Sequence, residues 1–132
     1  MNKYKLVLIF FLFVSWIKAQ QNTYLSYGRE AGLPQSQVRA IETDSAGFLW
    51  IGTLGGLSRF NGASFRNFSK EDGLPDNQIN CLVSGKEFWI GTTGALCYLE
   101  GIHIKCIPLP QENAASRVLD IAEDPDGAVW LA

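Results

Sequence analysis

Carboxylates are the residues here whose types and spacing come nearest to chemistry. Glu71, Asp72 and Asp76 gather around one Gly-Leu-Pro step. Two carboxylates held about 5–10 Å apart can act on a glycosidic bond as acid and base or nucleophile. The plainer expectation for these three is a solvated loop. Glu123-Asp124-Pro125-Asp126-Gly127 has the beginning of a calcium loop. It lacks the later oxygen ligands and the closing glutamate that such a loop needs, and it reads as a turn. Gly52-Thr53-Leu54-Gly55-Gly56 is rich in glycine but has neither the lysine nor the following helix of a phosphate-binding loop. The single histidine, His103, sits in an alternating stretch as an ordinary strand residue. No Ser–His–Asp set is brought together. Catalytic, metal-binding and cofactor-binding residues are therefore expected to be none, and the sequence does not identify the ligand-contacting residues.

Three cysteines remain: Cys81, Cys97 and Cys106. Their spacing has none of the paired or His-flanked character of a zinc site. An odd number leaves at least one thiol free. Cys97 and Cys106 flank an expected hairpin and could pair if its register allows. The plainer expectation is three small apolar residues buried in strands.

The elements that would carry these residues begin after a leader. Lys3 and Lys5 precede an apolar run, Leu6 to Ile17, followed by polar residues with Ala19 at a plausible cleavage point. This is the pattern of a signal peptide over residues 1–19, and the run is too short to span a bilayer, which takes about 20 residues. Export would permit disulfides. Losing Lys3, Lys5 and Lys18 takes the formal charge from −2 to −5, which argues against a nucleic-acid partner.

The rest of the chain repeats itself. Gly32-Leu33-Pro34 returns as Gly73-Leu74-Pro75, 41 residues on, and Trp50 returns as Trp89 and Trp130, at steps of 39 and 41. A period near 40 is that of a four-stranded propeller blade. The first copy divides into strands at Val38–Thr43, Phe48–Thr53, Gly56–Phe60 and Ser64–Phe68, separated by Asp44–Gly47, Leu54-Gly55 and Asn61-Gly62. Asn-Gly between apolar runs is a strong hairpin signal. Glu100-Gly101 does the same in the second copy. The runs Phe48-Leu49-Trp50-Ile51 and Phe88-Trp89-Ile90 are apolar at every position, as in strands covered on both faces. The tryptophans are expected to fill space between blades, with Gly52 and Gly91 allowing close approach of backbones. No helical period appears after residue 20.

The fold expected is all-β: an incomplete propeller with blade 1 over 38–68, blade 2 over 79–107 and the start of a third over 118–132, the whole propeller segment being 20–132. Tyr24-Leu25-Ser26-Tyr27 precedes the first Gly-Leu-Pro as Phe65-Arg66-Asn67-Phe68 precedes the second. Residues 24–27 are thus expected to be an outer strand that closes the ring by joining the last blade, whose other strands would lie beyond residue 132. Alone, such a fragment would leave edges and an apolar face open.

The motif Asp44-x-x-Gly47-x-Leu49-Trp50-Ile51-Gly52-Thr53-x-x-Gly56-Leu57-x-x-Phe60-Asn61-Gly62, with Gly73-Leu74-Pro75, resembles the two-component regulator propeller repeat. Copy two keeps Trp89-Ile90-Gly91-Thr92, replaces the aspartate turn with Ser84-Gly85-Lys86, and has Ala95 at the Gly56 position. Copy three keeps Asp124-x-x-Gly127-x-Val129-Trp130-Leu131. The resemblance implies a periplasmic sensor propeller, responsive to a carbohydrate or another small ligand, in a protein anchored in the inner membrane and continuing into a histidine kinase. It also implies a bacterial source, where the Asn67-Phe68-Ser69 sequon carries no meaning. The alternatives are a secreted propeller lyase or glycosidase, a surface scaffold, or a truncated relic, since a fold does not fix a function.

Overall fold

A computed structural model describes residues 23–110 and 116–132. The expected signal peptide lies outside the described residues. Strands β1 (Val38–Thr43), β2 (Leu49–Thr53), β3 (Leu57–Phe60) and β4 (Phe65–Phe68) form one antiparallel sheet in chain order. Strands β5 (Ile79–Ser84), β6 (Phe88–Thr92), β7 (Ala95–Glu100) and β8 (His103–Pro108) form a second in the same order. Strands β9 (Ile121–Glu123) and β10 (Val129–Leu131) pair as a ribbon. No α-helix occurs among the described residues; single 3₁₀ turns lie at Arg29–Ala31 and Lys70–Asp72.

The turns repeat as faithfully as the strands. Asp44 Oδ1 accepts from the amides of Ala46 and Phe48 at 3.0 and 2.9 Å, and Asp124 Oδ1 does the same for Asp126 and Ala128. Each turn ends on a glycine with positive φ, Gly47 at 85° and Gly127 at 92°, where an L-residue would be strained. Each Gly-Leu-Pro step follows a 3₁₀ turn, and Leu33 and Leu74 are buried beneath it.

The sheets stack face to face through two apolar clusters. One joins Trp50, Leu57 and Phe68 of the first sheet to Ile79, Phe88, Ile90, Cys97, Leu99 and Ile104 of the second. The other joins Cys81, Leu96 and Trp89 to Val118, Ile121 and Val129. Phe88 and Ile90 thus face one neighbour and Trp89 the other, which is why β6 does not alternate. Close approach depends on two glycines. A Cβ on Gly52 would lie 2.5 Å from Ile79 Cγ2, and one on Gly91 would lie 3.0 Å from Val118 Cγ1. Ile79, the first residue of β5, and Val118, three residues ahead of β9, each sit in the glycine gap of the blade before.

One expectation is changed. Cys97 and Cys106 are bonded to each other, where unpaired buried thiols were the plainer reading. The β7–β8 register sets them directly opposite, with their Cα atoms 4.0 Å apart, and Cys81 is left as a buried thiol. Residues 24–27 make no strand ladder; the strands expected to pair with them are not among the described residues.

Candidate functional site

The carboxylates around the second Gly-Leu-Pro are occupied in holding turns. Asp72 Oδ2 accepts from the Ser69 amide at 2.8 Å, closing a capping box around the 3₁₀ turn. Asp76 Oδ1 accepts from the Gln78 amide at 2.9 Å, and Glu71 is exposed. The Glu123–Gly127 segment is the β9–β10 turn, and no cluster of metal-ligating side chains occurs among the described residues. Residues 52–56 end β2 and turn into β3. There the Thr53 hydroxyl, fully buried, donates to the Gly56 carbonyl at 2.9 Å. His103 is exposed at the start of β8.

The surroundings of the acids fit a structural use. Burial pushes the Asp44 carboxyl up, but the Trp50 indole, the Phe48 and Ala46 amides and the Arg59 charge together hold it below the usual range. Asp124 is also lowered, first by the Ala128 amide; burial opposes this, and the Trp130 indole and the Asp126 and Gly127 amides lower it further. The Cys81 thiol is pushed up to about 11, by burial first and then by the Asp120 charge. A thiol so raised stays protonated and is a poor nucleophile.

The first strands offer a different arrangement. β1 lies against β5, and β5 against β9, so the inner edges of successive sheets run side by side. Each of the first two strands carries one bulged residue. In β1 the ladder steps from Val38↔Thr53 to Ala40↔Gly52, leaving Arg39 extra; in β5 it steps from Ile79↔Thr92 to Cys81↔Gly91, leaving Asn80 extra. Bulges re-aim a side chain away from the regular pleat. Arg39 is exposed. Asn80 Nδ2 is shut from solvent with no hydrogen-bond partner, as is the Thr93 Oγ1 just beyond the Thr92 that pairs with Ile79. Thr93 also bridges to Arg117. Arg39, Asn80, Thr93 and Arg117 supply guanidinium, amide and hydroxyl donors without an acid–base pair. Donors of these kinds can hold a polar ligand by hydrogen bonds. Sequence reading did not single out these residues, because polar residues at the head of an inner strand look like ordinary pleat alternation until the bulge is seen.

Stacked four-stranded meanders with their first strands side by side are β-propeller blades. Residues 32–55 match the family model of the two component regulator propeller. Among curated proteins, a histidine kinase of Formosa agariphila, Histidine kinase P4, is 40% identical over 65 residues, 48% of this chain and 5% of the relative. Among solved structures, the extracellular domain of the hybrid two component system BT3049 from B. thetaiotaomicron superposes with a TM-score of 0.73 at 24% identity, covering 86% of this chain and 17% of that one. The extracellular domain of BT4673 from the same organism gives 0.63 at 25% identity, over 86% and 15%. The chain therefore spans a small part of the length of each protein it matches. Among the described residues no helix is long and apolar enough to cross a membrane.

Proposed function

We propose that this chain is part of the ligand-sensing propeller of an exported, membrane-anchored two-component regulator, that it does no catalysis itself, and that its ligand is a carbohydrate. The observation carrying this reading is the pair of bulged residues, Arg39 and Asn80, on adjoining first strands, with unpartnered donors at Asn80 and Thr93. A buried donor without a partner costs stability, and a sugar hydroxyl would satisfy it. Ligand at the propeller face would bias the kinase through unequal affinity for two poses of the domain.

The same reading makes Tyr24–Tyr27 the outer strand of the blade that precedes blade 1 in the ring. Support comes from packing. Tyr27 lies 5.1 Å from Phe60 and 5.8 Å from Phe65, ring to ring. One repeat later Phe68, Leu99 and Ile104 occupy the corresponding positions in a single buried cluster. Tyr27 meets blade 1 as Phe68 meets blade 2.

The test is glycan-array binding by the full-length protein, followed by kinase autophosphorylation with the best ligand. Asn80→Ala is expected to weaken binding about tenfold, the loss of one good hydrogen bond. Binding to no polysaccharide, or binding indifferent to Asn80 and Arg39, would overturn the reading.

A further inference from the structure

Blade 1 carries two cations that its repeat does not require. Arg59 on β3 and Arg66 on β4 are directly opposite in the ladder, a placement in which like charges repel. Neither makes an ion pair with a described acid; the one such pair among the described residues is Lys105 with Glu100. Asp44 feels the Arg59 charge but directs its oxygens to the Trp50 indole and two backbone amides. Both guanidiniums instead rest on aromatic rings: Arg59 Cζ lies 3.5 Å from the centroid of Phe48, and Arg66 Cζ 5.1 Å from that of Phe68. Stacking fixes a guanidinium plane while leaving its N–H edge free to meet an oxyanion. The two arginines line a recess of about 180 Å³ with Phe48, Asn61 and Ser64. Asn61 Oδ1 is taken up by the Ala63 and Ser64 amides, which leaves Nδ2 as a further donor on a residue that lines the recess.

The comparison between repeats sharpens this. At the positions of Arg59 and Arg66, blade 2 has Tyr98 and Lys105. Tyr98 lies against Trp89, and Lys105 has Glu100 within 3.9 Å. A blade of this kind thus stands without paired arginines.

We infer that the recess formed by Arg59, Arg66, Asn61 and Ser64 on the outer strands of blade 1 is a binding site for an oxyanion, a carboxylate or a sulfate group. The two forks would share the charge, and Asn61 Nδ2 would fix its orientation. The site is separate from the inner-strand residues and does not depend on the carbohydrate reading.

Arginine modification by phenylglyoxal in the full-length protein, mapped by peptide mass spectrometry, tests it at the weak affinities expected of a small ion. Sodium sulfate and sodium acetate are compared with sodium chloride at equal ionic strength, with Arg29 as the internal control. At about 10 mM, sulfate is expected to slow modification of Arg59 and Arg66 about fivefold, with acetate weaker, and to leave Arg29 unchanged. In Arg66→Gln, which keeps Arg59 on Phe48, protection of Arg59 should fall below about twofold. Equal protection by chloride, equal protection at Arg29, or full protection of Arg59 in Arg66→Gln would overturn the inference.

Discussion

The seam between blades 1 and 2 and the seam between blades 2 and 3 hold the same tryptophan in different ways. At the first, Trp50 is 1% exposed. Its ring lies between Phe68, 5.5 Å away in its own blade, and Phe88, 5.3 Å away in the next. Its indole N–H donates to Asp44 of its own turn at 2.7 Å. At the second, the aspartate is gone, and Gly85 stands at its position after the last residue of the first strand. The Trp89 indole reaches across to Glu123 of the following blade at 3.1 Å. The same carboxylate also accepts from the Lys86 amide at 3.0 Å, and a side chain on Gly85 would collide with it. Trp130 returns to the first arrangement with Asp124 at 3.4 Å. The first seam is therefore apolar, with its polar bond kept within one blade. The second is fastened by a hydrogen bond that crosses it. A repeat that loses its own acceptor is repaired by the next repeat, so an alignment of repeats alone hides the contact.

The sharpest break in this comparison is expected from Trp50→Ala, which should cost about 3–5 kcal/mol in chemical unfolding through the cavity left between Phe68 and Phe88. Trp89→Ala, at a partly exposed ring, should cost visibly less. Equal losses would mean that the two seams are equivalent. Next comes the glycine gap. Gly52→Ala forces Ile79 aside and should cost about 1–3 kcal/mol, with part of that recovered in the double variant Gly52→Ala with Ile79→Ala, which removes the Cγ2 methyl in the way. Simple additivity in the cycle would mean that the two do not touch.

The crossing bond should give a smaller signal. In a double-mutant cycle between Trp89→Phe and Glu123→Gln, the coupling should be about 0.5–1.5 kcal/mol. The corresponding cycle of Trp50→Phe with Glu123→Gln should show none. The smallest effect is on pH dependence. The Asp44 carboxyl is lowered in the folded state, so the unfolded chain takes up its proton first as pH falls. Its stabilisation is present above the ordinary carboxylate value and is lost as pH drops through the folded one. Asp44→Asn should flatten the acid limb of the stability curve below about pH 4; an unchanged limb would show that Asp44 contributes nothing there.

Strand order and seam positions were legible in the sequence because they rest on strong local signals. Asn61-Gly62 and the Asp44–Gly47 and Asp124–Gly127 turns fix the hairpins, and doubly apolar β6 reveals a sheet covered on both faces. Gly52 and Gly91 were readable as close approaches, though their partners Ile79 and Val118 were not. The disulfide was not legible, because pairing of Cys97 with Cys106 depends on a register that turn length alone leaves open by one residue. Arg39 and Asn80 escaped because a bulge is a property of the ladder, not of residue type. Arg59 and Arg66 escaped because only the β3–β4 register makes them neighbours.

The most direct measurement for the whole account is a crystal structure of the full-length propeller. It should show Tyr24–Tyr27 hydrogen-bonded as the outermost strand of a sheet whose other strands come from the far end of the propeller, with Ile79 seated at Gly52 and Val118 at Gly91. Residues 24–27 unpaired or joined to β4, or the two sheets parted so that those glycine gaps stand open, would contradict it.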